Sequence, residues 1–207
     1  MIMETFFKKI LRFSRAQEGI AYLEFAITMP FLLAMLMGSV EMTRYILIAQ
    51  KVEKAAASIS DLVAQGQTVS NSDLNNIILA AGQVMQPYSF DVNGYVIISS
   101  VTQTGPYSAS NLPRVNWQYT GGGSWVQPSQ VGVPGSAANL PAGMTLNDKD
   151  NVIVTEVFYN YQPMLANNGI IAGSPLYKVA VFKPRLGDLT TLSFPLPYSL
   201  YLKGAVL

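Results

Sequence analysis

The feature that most constrains this chain is residues 19–66, GIAYLEFAITMPFLLAMLMGSVEMTRYILIAQKVEKAAASISDLVAQG, because the first half suits a bilayer and the second half suits water. Residues 24–40 carry one charge, Glu24, in an apolar run otherwise interrupted only by Thr28, Pro30, Gly38 and Ser39. Crossing a hydrocarbon core takes about 20 apolar residues, so residues 20–40 are just long enough. From Glu41 onward charges return, while Tyr45, Ile48, Val52, Ala55, Ile59 and Leu62 recur at helical spacing. This pattern predicts one helix over residues 20–65, roughly 70 Å long at 1.5 Å per residue, that leaves the membrane and is closed by Gly66 as a left-handed C-cap. The stripe should pack on the globular part or on neighbouring stalks, with Arg44, Lys51, Lys54, Ser58 and Asp61 on the side away from it.

The entry to this helix is chemically specific. Lys8, Lys9, Arg12 and Arg15 precede Gly19, and Glu24 stands five residues after that glycine, inside the apolar run. A carboxylate in hydrocarbon is costly and calls for a partner. A free amine is the natural one: a chain cut after Gly19 would present the α-ammonium of Ile20 where a neighbouring subunit's Glu24 could pair with it.

A basic leader, Gly at the cut, an apolar segment and Glu at its fifth position resemble a type IV prepilin. More narrowly, Gly19, Ala21, Glu24, Phe25, Ala26 and Pro30 follow in order the signature G-x-A-x-x-E-F-A-x-x-x-P of the TadE/TadG-like family of Tad pilus assembly proteins, which the segment resembles. The resemblance implies a minor pilin or pseudopilin of a Tad (type IVc) pilus, acting in pilus assembly or at the filament tip. It implies processing between Gly19 and Ile20 by a prepilin peptidase, pairing between subunits through Glu24, and packing of Phe25, Ala26, Pro30, Leu33 and Met37 among pilin helices. The implied partners are the peptidase, the major pilin and other minor pilins, the inner-membrane assembly platform and membrane lipid. The alternative is an uncleaved bitopic envelope protein whose outer domain binds a ligand or scaffolds a secretion channel.

Three parts are therefore expected: a leader at 1–19, a transmembrane and stalk helix at 20–66, and an extracytoplasmic α+β domain at 67–207. The basic leader favours a cytoplasmic N-terminus, which puts a single-pass protein in the bacterial inner membrane with its domain in the periplasm, or on the cell surface within a pilus. About 140 residues can bury a core without metals or disulfides. With Cys and His both at zero, His-based acid/base catalysis, His/Cys metal sites and the Ser-His-Asp triad are excluded. From Gly66 on, six acidic residues balance six basic ones, leaving no electrostatic footprint for nucleic acid. The expectation is a protein that is not an enzyme, with no cofactor and no catalytic or metal site.

Within the domain, Ser70 and Asp73 form a capping box ahead of a helix to about Met85. Strands are expected at 95–101, 114–120, 151–161, 177–182 and 190–194, giving a small, mostly antiparallel sheet packed against the stalk helix with one further short helix. Asn93-Gly94 is a turn signal. Residues 151–161 read as a central strand, apolar on both faces. Residues 121–143, rich in Gly and Pro, read as a long irregular loop that Trp125 and Val126 could pin to the surface, and whose deletion over 121–135 should spare folding. Glu156 is expected to be satisfied by Arg114, Lys178 or Arg185. Residues 147–151 gather oxygen ligands but fit a solvated turn better than a calcium loop, because Lys149 sits in the middle.

Overall fold

In the computed structural model, residues 18–164 and 173–193 are described; the basic leader, residues 165–172 and the residues from Phe194 onward, with the end of the strand expected at 190–194, lie outside them. The architecture is α+β. A helix α1 (Glu18–Ala64) is followed by α2 (Asn71–Val84), a single turn α3 (Phe90–Asn93), and strands β1 (Gly94–Thr102), β2 (Arg114–Gly122), β3 (Asn151–Tyr161) and β4 (Ser174–Phe182). Two compact units divide the chain, Met1–Arg44 and Tyr45–Leu207.

In the second unit the strands form one antiparallel sheet in the order β2-β1-β3-β4. β3 is interior and apolar on both faces, as its composition requires. On one face Ile153, Val157, Tyr159 and Tyr161 meet Val96 and Ile98 of β1 beneath Ile48, Val52, Ala55, Ile59 and Val63 of α1 and Leu74, Ile78 and Ala81 of α2. Each fully buried Ile, Leu or Val contributes roughly 1.5–3 kcal/mol. Tyr45 stacks edge-on against Tyr161 at 5.2 Å, and Ser60 Oγ donates to the carbonyl of Ile153 at 3.2 Å, so this part of α1 runs antiparallel to β3. The apolar stripe departs from expectation at its end: Leu62 is 46% exposed and Val63 takes the buried position.

The ends of the helices follow local chemistry. Ser70 and Asp73 form the full reciprocal capping box, and the hydrogen bonds from Ser70 hold the Asp73 carboxyl below its ordinary value. Lys51 of α1 donates to the carbonyls of Val84 and Gln86 (3.1 and 2.6 Å), capping the end of α2. Gly66 does not adopt the expected left-handed conformation. Its N–H donates to Val63 O at 3.2 Å, and a Cβ there would lie 3.1 Å from Val69 Cγ2. A side chain at that position would be tight against Val69 and the carbonyl of Thr68. The Asn93-Gly94 signal ends α3 rather than turning a hairpin.

The main correction concerns residues 121–143. These residues carry a second core on the opposite face of the sheet: Val131, Ala138 and Leu140, with Leu146, pack on Val101, Val115, Val152 and Val154. Trp125 is half-buried and Val126 is exposed, so neither pins the loop. Glu156 does. Its carboxylate is fully buried and accepts from Ser129 Oγ (2.5 Å), Gln130 N–H (2.8 Å) and Tyr177 Oη (3.1 Å). The expected cations are engaged elsewhere: Lys178 with Glu53, Arg185 with Asp61, and Arg114 with the carbonyl of Gly135. Burial and the adjacent Glu156 charge push the Tyr177 phenol well above its ordinary value.

Residues 190–193 are not a strand. The stretch after β4 is an irregular strap: Arg185 N–H donates to Ala64 O (2.9 Å) and Ser193 N–H to Val69 O (2.9 Å). Between them Leu189 is buried, its N–H held by Asn151 Oδ1 (2.9 Å) and its carbonyl by Ser100 Oγ (2.7 Å) and Trp117 Nε1 (2.8 Å).

Replacing Glu156 with Ala leaves two half-buried hydroxyl donors and one N–H without their acceptor, and is expected to lower unfolding free energy by about 3 kcal/mol, against a smaller loss for Glu156→Gln, both measured by denaturant titration. Deletion of residues 121–135 removes Val131 and both loop donors to Glu156. It should abolish cooperative unfolding, contrary to the expectation from composition alone.

Candidate membrane and subunit interface

The residues singled out at the N-terminal end all lie on α1, in the first unit. Gly19 and Ile20 fall in its first turn, and Pro30 lies within the helix. Proline has no N–H to give the carbonyl of Ala26 four residues back. The hydroxyls in this apolar stretch bond to their own helix: Thr28 Oγ1 donates to Glu24 O (2.6 Å), Ser39 Oγ to Leu36 O (2.8 Å) and Thr43 Oγ1 to Ser39 O (2.8 Å). Such back-bonding satisfies polar groups where no water is available.

At 100° per residue, Ala26, Pro30, Leu33 and Met37 (spacing i, i+4, i+7, i+11) share one stripe. Phe25 lies beside it rather than on it. Glu24 belongs to a different stripe with Ile20, Phe31 and Met35. The helix thus brings four of the five expected packing residues together and sets the carboxylate on its own face, in line with the residue that would bear a new N-terminus.

Every residue from 19 to 40 is exposed. Phe25, Phe31, Leu33 and Met37 have about half or more of their surface uncovered. A continuous apolar surface of this extent is not left to water in a monomeric soluble protein. This helix is long and apolar enough to cross a membrane, and none of its most apolar window is buried by the rest of the chain. Among the described residues no cation pairs with Glu24. Glu41 and Arg44, nearer the end of the span, approach each other at 4.0 Å.

In the second unit the carboxylates of 147–151 are already used. Asp148 accepts from Gly105 N–H (2.5 Å). Asp150 accepts from Lys183 Nζ (2.5 Å) and Asn147 N–H (3.0 Å), which hold its carboxyl below the ordinary range, Lys183 first. Lys149 sits at φ 64°, in the left-handed region. Among the described residues no group of three or more His, Cys, Asp or Glu is gathered to hold a metal ion. A groove of 440 Å³ lies between α2 and the 86–91 segment that leads into α3, walled by Ile78, Leu79, Gln83, Pro87, Phe90 and Asp91.

Sequence reasoning missed the Glu156 anchorage and the strap at Leu189, since both join residues far apart in the chain. Alternation along β3 places Glu156 on a largely apolar face, and that was the available signal. No curated protein and no solved structure matches the chain. The family model described as TadE-like protein matches residues 19–60, starting at Gly19 and including Glu24 and Pro30. Residues 19–60 are thus similar to the TadE-like family that their motif resembles.

Proposed function

We propose that this protein is a minor pilin or pseudopilin of a Tad (type IVc) pilus, with a mechanical rather than catalytic role. The observation that supports the reading is the uncovered apolar helix carrying Gly19 and Glu24 within a TadE-like segment. In this reading the chain enters the bacterial inner membrane with its N-terminus cytoplasmic, and a prepilin peptidase cuts between Gly19 and Ile20. The new ammonium of one subunit pairs with Glu24 of another. The stripe of Ala26, Pro30, Leu33 and Met37, flanked by Phe25, packs against helices of the major pilin and other minor pilins. The assembly platform and lipid contact the same segment, and the domain faces the periplasm or the cell surface. The groove beside α2 favours a second reading, an uncleaved envelope protein whose outer domain binds a ligand or scaffolds a secretion channel.

The two readings separate at the N-terminus. Intact mass of protein recovered from membranes of a peptidase-positive host should correspond to a chain starting at Ile20; one starting at Met1 overturns the pilin reading. Gly19→Leu should retain the leader, because cleavage beside the membrane requires close backbone approach, and equal processing of the two chains would remove Gly19 as the cut site.

Glu24→Ala should still insert, since loss of a charge from hydrocarbon relieves roughly 2.5–3.5 kcal/mol on insertion scales. Its defect should appear later: processed normally, it should fail to co-purify with sheared filaments or the assembly platform, with Glu24→Gln failing less. A charge-assisted bond in a water-poor setting sets register between subunits. Normal incorporation of Glu24→Ala would show that Glu24 has no pairing role.

A further inference from the structure

The two edges of the sheet are treated differently. The outer edge of β2 is covered at its start, where Val115 N–H donates to Ser136 O (3.1 Å), Gly135 N–H donates to Val115 O (2.8 Å), and Arg114 bridges to Ala137. A register shift between Ser100 and Val101, opposite Asn116, ends that covered stretch. Over residues 117–122 the outer edge carries no main-chain partner among the described residues. β4 has no such main-chain cover, although Pro175 near its start has no N–H to offer, so its free edge runs over residues 176–182. It pairs with β3 in unbroken register from Ser174 to Phe182, has no bulge, and among the described residues no main-chain group bonds to its outer side. Its one charge, Lys178, is taken by Glu53 of α1. A regular, largely apolar edge with unpaired N–H and C=O groups is a template for another strand.

The directions of the elements decide whose strand it takes. β1 and β4 run one way, β2 and β3 the other, and residues 45–64 of α1 run antiparallel to β3. Two β4 strands paired antiparallel would reverse α1 of one copy relative to the other. Copies whose chains enter the same membrane just before Tyr45 cannot do this; here the argument rests on the single-pass reading above. Copies standing side by side in the same orientation bring β4 of one against β2 of the next, and these strands are antiparallel.

We propose that copies of this chain join head to tail by main-chain pairing of β4 with residues 117–122 of β2 in the adjacent copy, extending one sheet through successive domains. Residues 117–122 carry no charge, so Lys178 meets no like charge across the join. The sheet faces also match: Trp117 and Tyr119 lie on the α1 side with Leu176 and Ala180, leaving Gln118 and Thr120 opposite Tyr177, Val179 and Val181. Residues 45–64 of successive α1 helices then stand about 19 Å apart, four strand spacings, which leaves room for a further helix between them at the usual 8–10 Å. A heterologous contact of this kind closes into a ring or continues as a filament.

The chain has no cysteine, which makes the test direct. The full-length protein carrying both Thr120→Cys and Val179→Cys, treated in membranes with a short bismaleimide, should give a ladder of dimers, trimers and higher species, each single variant remaining monomeric. Co-expression of the two single variants should give dimers and no trimers. Should Val179→Cys fail to fold, the exposed pair Ser124→Cys and Ser174→Cys serves the same purpose. No ladder from a folded double variant, a dimer from Val179→Cys alone, or an adduct with a protein of another mass would each overturn the proposal. Retention of the variants in the membrane after alkaline extraction separates failure of this join from failure of the membrane reading.

Discussion

A single helix serves two solvents, and the division of labour along α1 sets what every other element has to do. From 19 to 40 its side chains are uncovered and, apart from Glu24 and the hydroxyls of Tyr22, Thr28 and Ser39, apolar, which fits hydrocarbon or neighbouring helices. From Tyr45 to Ala64 one apolar stripe is buried, and the sheet is built to receive it. β3 lies beneath that stripe, β1 and α2 flank it, and Asp61 and Glu53 on the helix flank reach Arg185 and Lys178 at or after β4. Within the second unit the helix is the spine of the core. Shifting its register by one residue would rotate the stripe away from the sheet and separate both ion pairs.

The opposite face of the sheet depends on one buried carboxylate. Burying Glu156 without partners would cost several kcal/mol, so the loop that satisfies it is as necessary to β3 as β3 is to the loop. Ser129 mediates the reciprocity: its hydroxyl donates to Glu156 while accepting from the N–H groups of Val131 and Gly132 and from Gln118 Nε2. A Gly/Pro-rich stretch thereby becomes a fixed layer, with Val131, Ala138 and Leu140 filling the space beneath it.

What could be read from residue order was whatever local periodicity records. The α1 stripe, the Ser70–Asp73 capping box and the extent of β3 depend on neighbours three or four residues away, or on alternation, and were legible to within a residue or two. Leu62 was misread because the helical phase allows either 62 or 63 to close the stripe, and only the sheet chooses Val63. Residues 121–143 were misjudged because Gly and Pro report backbone freedom and are silent on distant acceptors; nothing near Ser129 announces a carboxylate at 156. Residues 190–193 have strand composition, but the main chain of Leu189 is captured by Asn151, Ser100 and Trp117 before a ladder can form. The motif at Gly19 and Glu24 was legible for another reason: its chemistry is written in adjacent residues, and the TadE-like match covers the same segment.

The strap bears on when this domain can fold. Arg185 is bonded to the last turn of α1 and Ser193 to Val69, so the stretch after β4 is joined to the end of α1 and the residues that follow it. Contacts of such long sequence separation form late and slowly. During synthesis α1 is complete more than a hundred residues before the strand and strap that cover its far end. Until residue 189 has left the ribosome, the buried indole N–H of Trp117 lacks its acceptor. Closure of the α1 side of the sheet therefore waits on residues 185–193, which follow all four strands in the chain.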